Sequence, residues 1–524
     1  SDLFFHGIEV TEVSSGGVTI QVVNSAVIGL IGSAPQWLAP EGSGPGINNP
    51  TLVTTQNLAG NFGPRVQGYT IPYALRAIQA QGSGAVIVID VFNPSVHQTV
   101  VAPAVVVGPA TNAIPVFLGH MGLVGPGLPN YVIAASTVTV KNQAGTTTYI
   151  EGTDYTIDYV NGLLYTKAGG AITPSEALEV GYAYCDPSKV ASADIVGTVA
   201  GGVYTGIQAL QTTFQTMGLF AKLLITPTFT DVTTSAALLA MANKIRAIAF
   251  TDAPPQTLVA TAIANRGAAG NAFNQASDRL VLCAPYQLVT DTGIVPTGVT
   301  ISAQGVIVLE YANAPMEFPP STLNAGATAA KDLAKGYWYS PSNTEIIGTL
   351  GPDISMYMSA FDSNADTNQL NAAGIMTVFN SFGTGYRVWG NRASSFPSSS
   401  LVTTFVSVRR TLDVIEQSIQ VSMLPFLDQP ITNGLINSIL STVNAFVRTL
   451  IQNGALVGGA VTYNPADNPV ANLQAGQLTF EVAVMPPPPA EEIIFNVFVD
   501  TSLLATLGPT VTSNAAANSV LPNG

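Results

Sequence analysis

Residues 70–92 read TIPYALRAIQAQGSGAVIVIDVF, and this stretch decides the fold class. Its first half sets Tyr73, Leu75 and Ile78 at helical spacing and closes on Gly82. Its second half, AVIVIDVF at 85–92, is an apolar run interrupted only by Asp90, as expected of a strand buried on both faces. A helix that hands over at once to a buried strand is the mark of a sheet layered with helices. The same alternation returns further on. AKLLITP (221–227) reads as a buried strand, TSAALLAMANKIR (234–246) as a helix, AIAFTDAPP (247–255) and SDRLVLCAPY (277–286) as strands.

Between these two stretches the pattern changes. Residues 100–188 are rich in Val, Thr, Tyr and Gly, with short strands such as STVTVKN, TIDYV, LLYTK and ALEVGYAY. Asn161-Gly162 between TIDYV and LLYT is a two-residue hairpin signal. The expectation is an all-β module inserted into an α/β domain. The fold class is therefore α/β (mixed α+β) and multidomain, with a C-terminal α+β domain and extended strand arms at both ends. The expected division is 1–20, N-terminal arm; 21–99 with 189–385, central α/β domain; 100–188, inserted β module; 386–485, C-terminal domain; 486–524, C-terminal arm and tail.

The two ends carry the arm expectation. At the N-terminus Ile8-Glu9-Val10-Thr11 alternates apolar and polar residues, followed by Val13 and a break at Gly16-Gly17. VTIQVVNSAVIGLIGSAP (18–35) then reads as a second extended stretch. At the other end RRTLDVIEQSIQVSML (409–424) and TNGLINSILSTVNAFVRTLIQNG (432–454) read as amphipathic helices, the second with Thr432 as N-cap and Asn453-Gly454 as its stop. GGAVTYNP and GQLTFEVAVMP read as strands, then Pro486 to Pro489 form a stiff spacer. AEEIIFNVFVD (490–500) reads as a strand apolar on both faces, with Ile493, Phe495, Val497 and Val499 on one and Ile494 and Phe498 on the other.

Composition narrows the function. Of 524 residues 47% are hydrophobic and only 9% charged, against about 25% charged in ordinary soluble chains. Mean hydropathy is +0.36, yet no window of about 20 apolar residues is expected to span a membrane, because prolines and glycines break the best stretch, 113–140. No basic region precedes an apolar run at the N-terminus, so no signal peptide is expected. A chain this poor in charge fits one that hides much of its surface in an assembly. A net charge of −14 argues against duplex DNA and anionic membrane as partners. Cys185 and Cys283 are expected as two buried free thiols.

Motifs for chemistry are missing. The three histidines, His6, His97 and His120, lie far apart, and HExxH, GxSxG, CxxC and GxxxxGK[ST] do not occur. DSNADTN (362–368) begins like a calcium loop, but Thr367 replaces the needed glycine and Ala373 the bidentate glutamate, so a solvated loop is the better reading. No enzyme, cofactor or metal is expected. From Gly385 to Ala460 five arginines (387, 392, 409, 410 and 448) face Asp413, Glu416 and Asp428, a locally basic block in an acidic chain. Arg409 and Arg410 either start a helix and pair with Asp413, or form a basic face for an acidic partner.

FFHGIEVTEVSSGG with VNSAVIGLIGSAP, WGNRASS, FVSVRRTLDVIEQSIQ, GLINSILSTVNAFVRTLIQNGALVGG and LTFEVAVMPPPPAEEIIFNVFVD, in this order, resemble the sheath proteins of contractile phage tails, a family related to R-type pyocin and type VI secretion sheaths. The resemblance runs over both ends and the central domain; the inserted module is its variable part. It implies a structural subunit that stacks as six-fold rings around an inner tube. The N-terminal arm (Ile8, Val10, Val13) and C-terminal arm (Ile493, Phe495, Val497, Val499) would each add a strand to a neighbour, with Gly16, Gly17, Pro486 and Pro489 as hinges. A helix of the C-terminal domain would touch the tube, which makes 409–424 and 432–452 the candidates and Arg409, Arg410 and Arg448 the candidate contacts. Implied partners are further copies of the chain, tail tube protein, baseplate and terminator proteins, without nucleic acid or membrane insertion. The implied location is the virion, after assembly in the bacterial cytoplasm. A headless tail-like particle, another fibre or surface-layer subunit, and an α/β hydrolase are the alternatives.

Overall fold

In a computed structural model the described residues are 20–40, 44–128, 131, 133, 135–289, 296–301, 307–311, 316–380, 383 and 385–507. The N-terminal arm residues Ile8, Val10, Val13, Gly16 and Gly17 lie outside them. The chain forms two compact units, up to Pro488 and from Pro489 onward.

The first unit begins with β1 (Ile28–Gly32), β2 (Thr51–Val53), α1 (Gln56–Gly60), α2 (Ile71–Ala80) and β3 (Val86–Asp90). An all-β excursion follows: β4 (Gln98–Val107), β5 (Val116–Phe117), β6 (Thr139–Asn142), β7 (Tyr155–Asp158), β8 (Leu163–Thr166) and β9 (Ala177–Cys185). The chain then runs through α3 (Ser192–Val196), the hairpin β10 (Val199–Ala200) and β11 (Val203–Tyr204), α4 (Thr213–Met217), β12 (Leu223–Ile225), α5 (Val232–Ile245) and β13 (Ile248–Asp252). After α6 (Val259–Ala264) come β14 (Leu280–Cys283), β15 (Gln287–Val289), β16 (Pro296–Ile301), β17 (Ile307–Tyr311), β18 (Met316–Phe318), α7 (Pro320–Lys335), β19 (Thr349–Pro352), α8 (Asp366–Ala372), β20 (Ile375–Asn380) and β21 (Tyr386–Trp389). The last block holds α9 (Val406–Ser422), α10 (Asn433–Gln452), β22 (Gly458–Thr462), α11 (Val470–Gln474) and β23 (Glu481–Met485).

Eight strands make the main sheet in the order β2-β3-β1-β12-β13-β14-β20-β21. The six inner strands are parallel, and β2 and β21 close the edges antiparallel. The opening stretch is a worked case of its burial. In β3 Ile87 and Ile89 enter the apolar core on one face, Val86 and Val88 the core on the other. Alternate side chains of one strand thus feed two cores, which is why the run is apolar throughout. β21 extends this sheet, pairing Thr377 with Trp389 through Asn380 with Tyr386, so the sheet reaches past the boundary expected at 385.

The excursion 98–185 forms two three-stranded antiparallel sheets, β4-β9-β6 and β5-β8-β7, around its own core of Leu123, Val140, Leu164, Leu178 and Val180. β7 and β8 do form a hairpin, but Asp158 pairs with Leu163, so four residues make the turn rather than two. The Asp158 carboxylate accepts from the Val160 and Asn161 amides and from Asn161 Nδ2, folding an Asx turn ahead of Gly162, whose φ is 69°.

Thr432 caps α10 by accepting from the Leu435 amide. α10 corrects one expectation: at 20 residues and mean hydropathy 1.3 it is long and apolar enough to cross a bilayer. Its exposed face is nonetheless polar, with Asn437, Ser438, Ser441, Arg448, Thr449 and Gln452, while Val443, Phe446, Val447 and Leu450 are buried beside Val414 and Ile415 of α9. DSNADTN is a turn leading into α8, with Asp362 accepting from the Asn364 amide.

Candidate assembly surface

The C-terminal block has two sides, one locked to the main sheet and one open. On the locked side lies α9, with eleven of its 17 residues buried. Arg410, 3% exposed, donates to Asp332 of α7 at 2.8 Å and to the Ser25 carbonyl at 3.2 Å. Arg409 bonds Asp413 and Glu416, each at 2.9 Å. Asp413 also accepts from Arg279 at 3.1 Å, and Glu416 from Arg246 at 2.8 Å, so the main sheet and α9 share one ionic network. Burial works against Glu416 ionising, but the hydrogen bond from Arg246 and the charge of Arg409 hold its carboxyl below the usual range. Burial lowers Arg409 in turn, and Asp413 and Glu416 more than offset it, so its pKa is raised.

Lys222 sits in the same network, 3% exposed, and donates to the Arg246 carbonyl at 2.9 Å and to Gln417. Burial pushes it down to about 7; Asp413 opposes the shift, and Arg246, Arg410 and Arg279 add to it.

Two of the three arginines expected at the tube contact are engaged within the subunit by these contacts. Arg410 is inside the subunit, and Arg409 is spent on Asp413 and Glu416, the first an i,i+4 pair within the helix. Desolvated guanidiniums bound to their own carboxylates have little left to offer a partner. Arg392 packs over Phe405 at 3.5 Å and Arg387 donates to the Asn343 carbonyl. Arg448 differs: it is exposed on α10, and its guanidinium makes no ion pair or hydrogen bond with another described residue. Lys222, Arg246, Arg279 and Asp332 were not singled out from the sequence, and no local pattern marks them, because their α9 partners lie 78 to 195 positions away.

On the open side β22 and β23 form a two-stranded antiparallel ribbon beside α10, with Val461 buried and Val482 and Met485 42% and 41% exposed. Asn444 of α10 accepts from the Val461 amide and donates to the Val461 carbonyl, so the outer edge of β22 is held to the helix, while the outer edge of β23 is a row of main-chain groups able to take another strand. Of the expected hinge prolines Pro486 is buried and Pro489 half-buried. Considered by itself, the second unit has no regular structure from 489 to 500 and a short 3-10 segment at Thr501–Leu507. The expected strand 490–500 is thus not one in a single chain, since a strand exists only through partner hydrogen bonds. Its side chains stand in solvent: Ile493 is 70% exposed, Phe495 85%, Val497 88% and Val499 89%. Among the described residues no cluster of His, Cys, Asp and Glu is placed to hold a metal ion.

A layered α/β body, a β excursion, a helical block with an open ribbon, and an apolar tail describe the contractile-sheath class of structural protein. Comparison with known proteins agrees. The profile of the phage tail sheath protein central domain matches residues 202–394, and that of the phage tail sheath C-terminal domain matches 400–500. A third profile, of a protein of unknown function, matches 128–207. The tail sheath protein of Burkholderia phage BcepMu is 40% identical over 508 residues, covering 96% of this chain and 98% of that one. The tail sheath protein of Escherichia phage P2 is 27% identical over 61% of this chain and 74% of its own length. In fold the chain is similar to the sheath complex of the extracellular contractile injection system PVC in its contracted state, with TM-score 0.56 and 16% identity over 96% of this chain and 99% of that one. It is similar also to the helical sheath of the anti-feeding prophage in its contracted state, with TM-score 0.55 and 16% identity over 95% and 100%. The chain belongs to the phage tail sheath family and is a structural subunit of a contractile phage tail.

Proposed function

We propose that this subunit polymerises as stacked six-fold rings around an inner tail tube, holds its neighbours by exchanged strands, and contracts to drive the tube through the host envelope for genome ejection. The observation that carries the reading is the open ribbon β22–β23 in the same chain as an exposed apolar segment, 493–499. The segment gains about 1.5–3 kcal/mol for each large side chain it buries. A ribbon edge offers it main-chain partners and a register. The N-terminal arm takes the same role on a neighbouring copy, with glycines 16 and 17 as its hinge.

α10 is the tube-facing helix in this reading, because α9 is a core helix, and Arg448 is the cation it presents. The contact is weak enough to break, as befits an exposed charge. The central α/β domain and C-terminal domain form the wall of the cylinder, and the excursion 98–185 lies on its outside. The work of contraction comes from better contacts between subunits, with no enzymatic step. Baseplate and terminator proteins bound the sheath at its two ends, and it matures in the bacterial cytoplasm as part of the virion.

Negative-stain electron microscopy of the concentrated chain tests this. Full-length protein is expected to give striated hollow cylinders. Chains lacking residues 1–19 or 490–524 are expected to stay folded and fail to polymerise. Normal cylinders from both truncations would refute strand exchange.

A further inference from the structure

Residues 410, 414, 418 and 422 of α9 are four apart and therefore form a single row along the helix. Val414 is buried in the C-terminal core, and the other three are polar although Arg410, Ser418 and Ser422 are 3%, 0% and 8% exposed. Serine is a poor choice inside a helix unless its hydroxyl is used. Here it is used on the chain's own beginning. The Val23 amide donates to Ser418 Oγ at 3.1 Å, the Gln21 amide to Ser422 Oγ at 3.2 Å, and Arg410 Nη2 donates to the Ser25 carbonyl at 3.2 Å.

The spacing explains why this works. Four residues of helix advance about 6.0 Å and two residues of extended chain about 6.7 Å. The Gln21 and Val23 amides therefore meet successive serines of the row in antiparallel sense, and the Ser25 carbonyl is taken by Arg410, two steps further along the row, whose long side chain spans the extra turn. The side chains do not alternate strictly: Ile20 is 7% exposed and joins the C-terminal core, Val23 packs against it, and Gln21, Val22 and Asn24 are exposed. Residues 20–25 have no strand partner among the described residues, and these three side chains take the place of a sheet edge.

We propose that Arg410, Ser418 and Ser422 are positioning residues that aim the N-terminal arm. By binding 21–25 along α9 they bring the chain to Ile20 at the Ser422 end of the helix, which sets the point and direction from which residues 1–19 depart. The proposal rests on the strand-exchange reading above. The arm's target on the next copy is then chosen by the α9 axis, and Asp332 supports the device by fixing the Arg410 guanidinium.

The test uses full-length Ser418→Ala/Ser422→Ala beside the chain lacking residues 1–19. Hydrogen exchange at the Gln21 and Val23 amides is expected to speed up several-fold to about tenfold, the range for a lost hydrogen bond, with β13 and β14 unchanged. The protein concentration needed for cylinders is expected to rise by a similar factor. Ser422→Thr, which keeps the oxygen, is expected to leave the Gln21 amide near wild type. If the double variant does not fold, Ser422→Ala alone reads the same amide. Unchanged exchange, or wild-type cylinders while the truncation fails to assemble, would overturn the ladder alone. Cylinders from the truncation would overturn the arm reading and the ladder with it.

Discussion

Lys222 shows how much one residue's setting can change its chemistry. A lysine is ordinarily charged well above neutrality, but this one lies under three arginines, Arg246, Arg279 and Arg410, with Asp413 as its nearby acid. Its folded pKa, about 7, is below its unfolded value of 10.5, so between those limits the unfolded chain binds the extra proton. Stability from this group therefore rises with pH from 7 to 10.5, and the full cost of burying the charge is felt below pH 7. Lys222→Met removes the cost. Its gain in unfolding free energy is expected to be larger at pH 6 than at pH 9 by about 2.7 kcal/mol, the worth of two pKa units. Chemical denaturation of the unassembled subunit at the two values measures it, and an equal effect at both would show that Lys222 titrates normally. Asp90 and Asp252, both fully buried at carboxyl ends of parallel strands, are pushed by burial up to about 8 and about 7, which gives stability the opposite slope. The difference between mutant and wild type isolates the lysine.

At the level of elements, α9 was legible as a helix but not as an interior one. Leu412, Ile415, Ile419 and Met423 suggested one apolar face, whereas the second face is buried by ion pairs to α7 and the main sheet. Arg410 and Asp332, 3% and 1% exposed at the side chain, form the deepest of these. Removing one partner strands a buried charge, so Arg410→Met is expected to cost about 3–5 kcal/mol. Arg410→Met with Asp332→Leu is expected to recover most of it, as apolar replacements of a buried pair often do. Equal losses in the single and double variants would mean that the guanidinium matters for its Ser25 contact rather than for its charge. α10 was more readable: the Thr432 cap, the apolar face and the stop at Gly454, with φ of 77°, all follow local rules.

For the whole molecule the question is what remains free to bind once the subunit has satisfied itself. Four of the five arginines in 385–460 are engaged within it, and Arg448 remains as an exposed cation on α10. Arg448→Ala is expected to leave the unfolding midpoint unchanged and to weaken co-sedimentation with tube protein by about 1.4- to 5-fold at low salt, the range of about 0.2–1 kcal/mol for an exposed pair. The effect should fade by about 1 M salt, where charges are screened within ~3 Å. An unchanged affinity at low salt would place the tube contact elsewhere.

The sequence by itself determined the α/β class, the buried parallel strands, the β-rich excursion and the two amphipathic helices, because each rests on periodicity within about ten to twenty residues. It also carried the ordered motifs by which the sheath family is recognised. Only the tertiary structure decided which arginines are interior, that β21 continues the main sheet, and that 21–25 lies along α9. Ion pairs between positions 78 to 170 apart depend on how helices dock, and no local pattern encodes that. The segment 490–500 marks the boundary between the two. Its apolar faces are written in the sequence, yet it has no strand geometry in one chain, because the hydrogen bonds that define a strand must come from a partner edge.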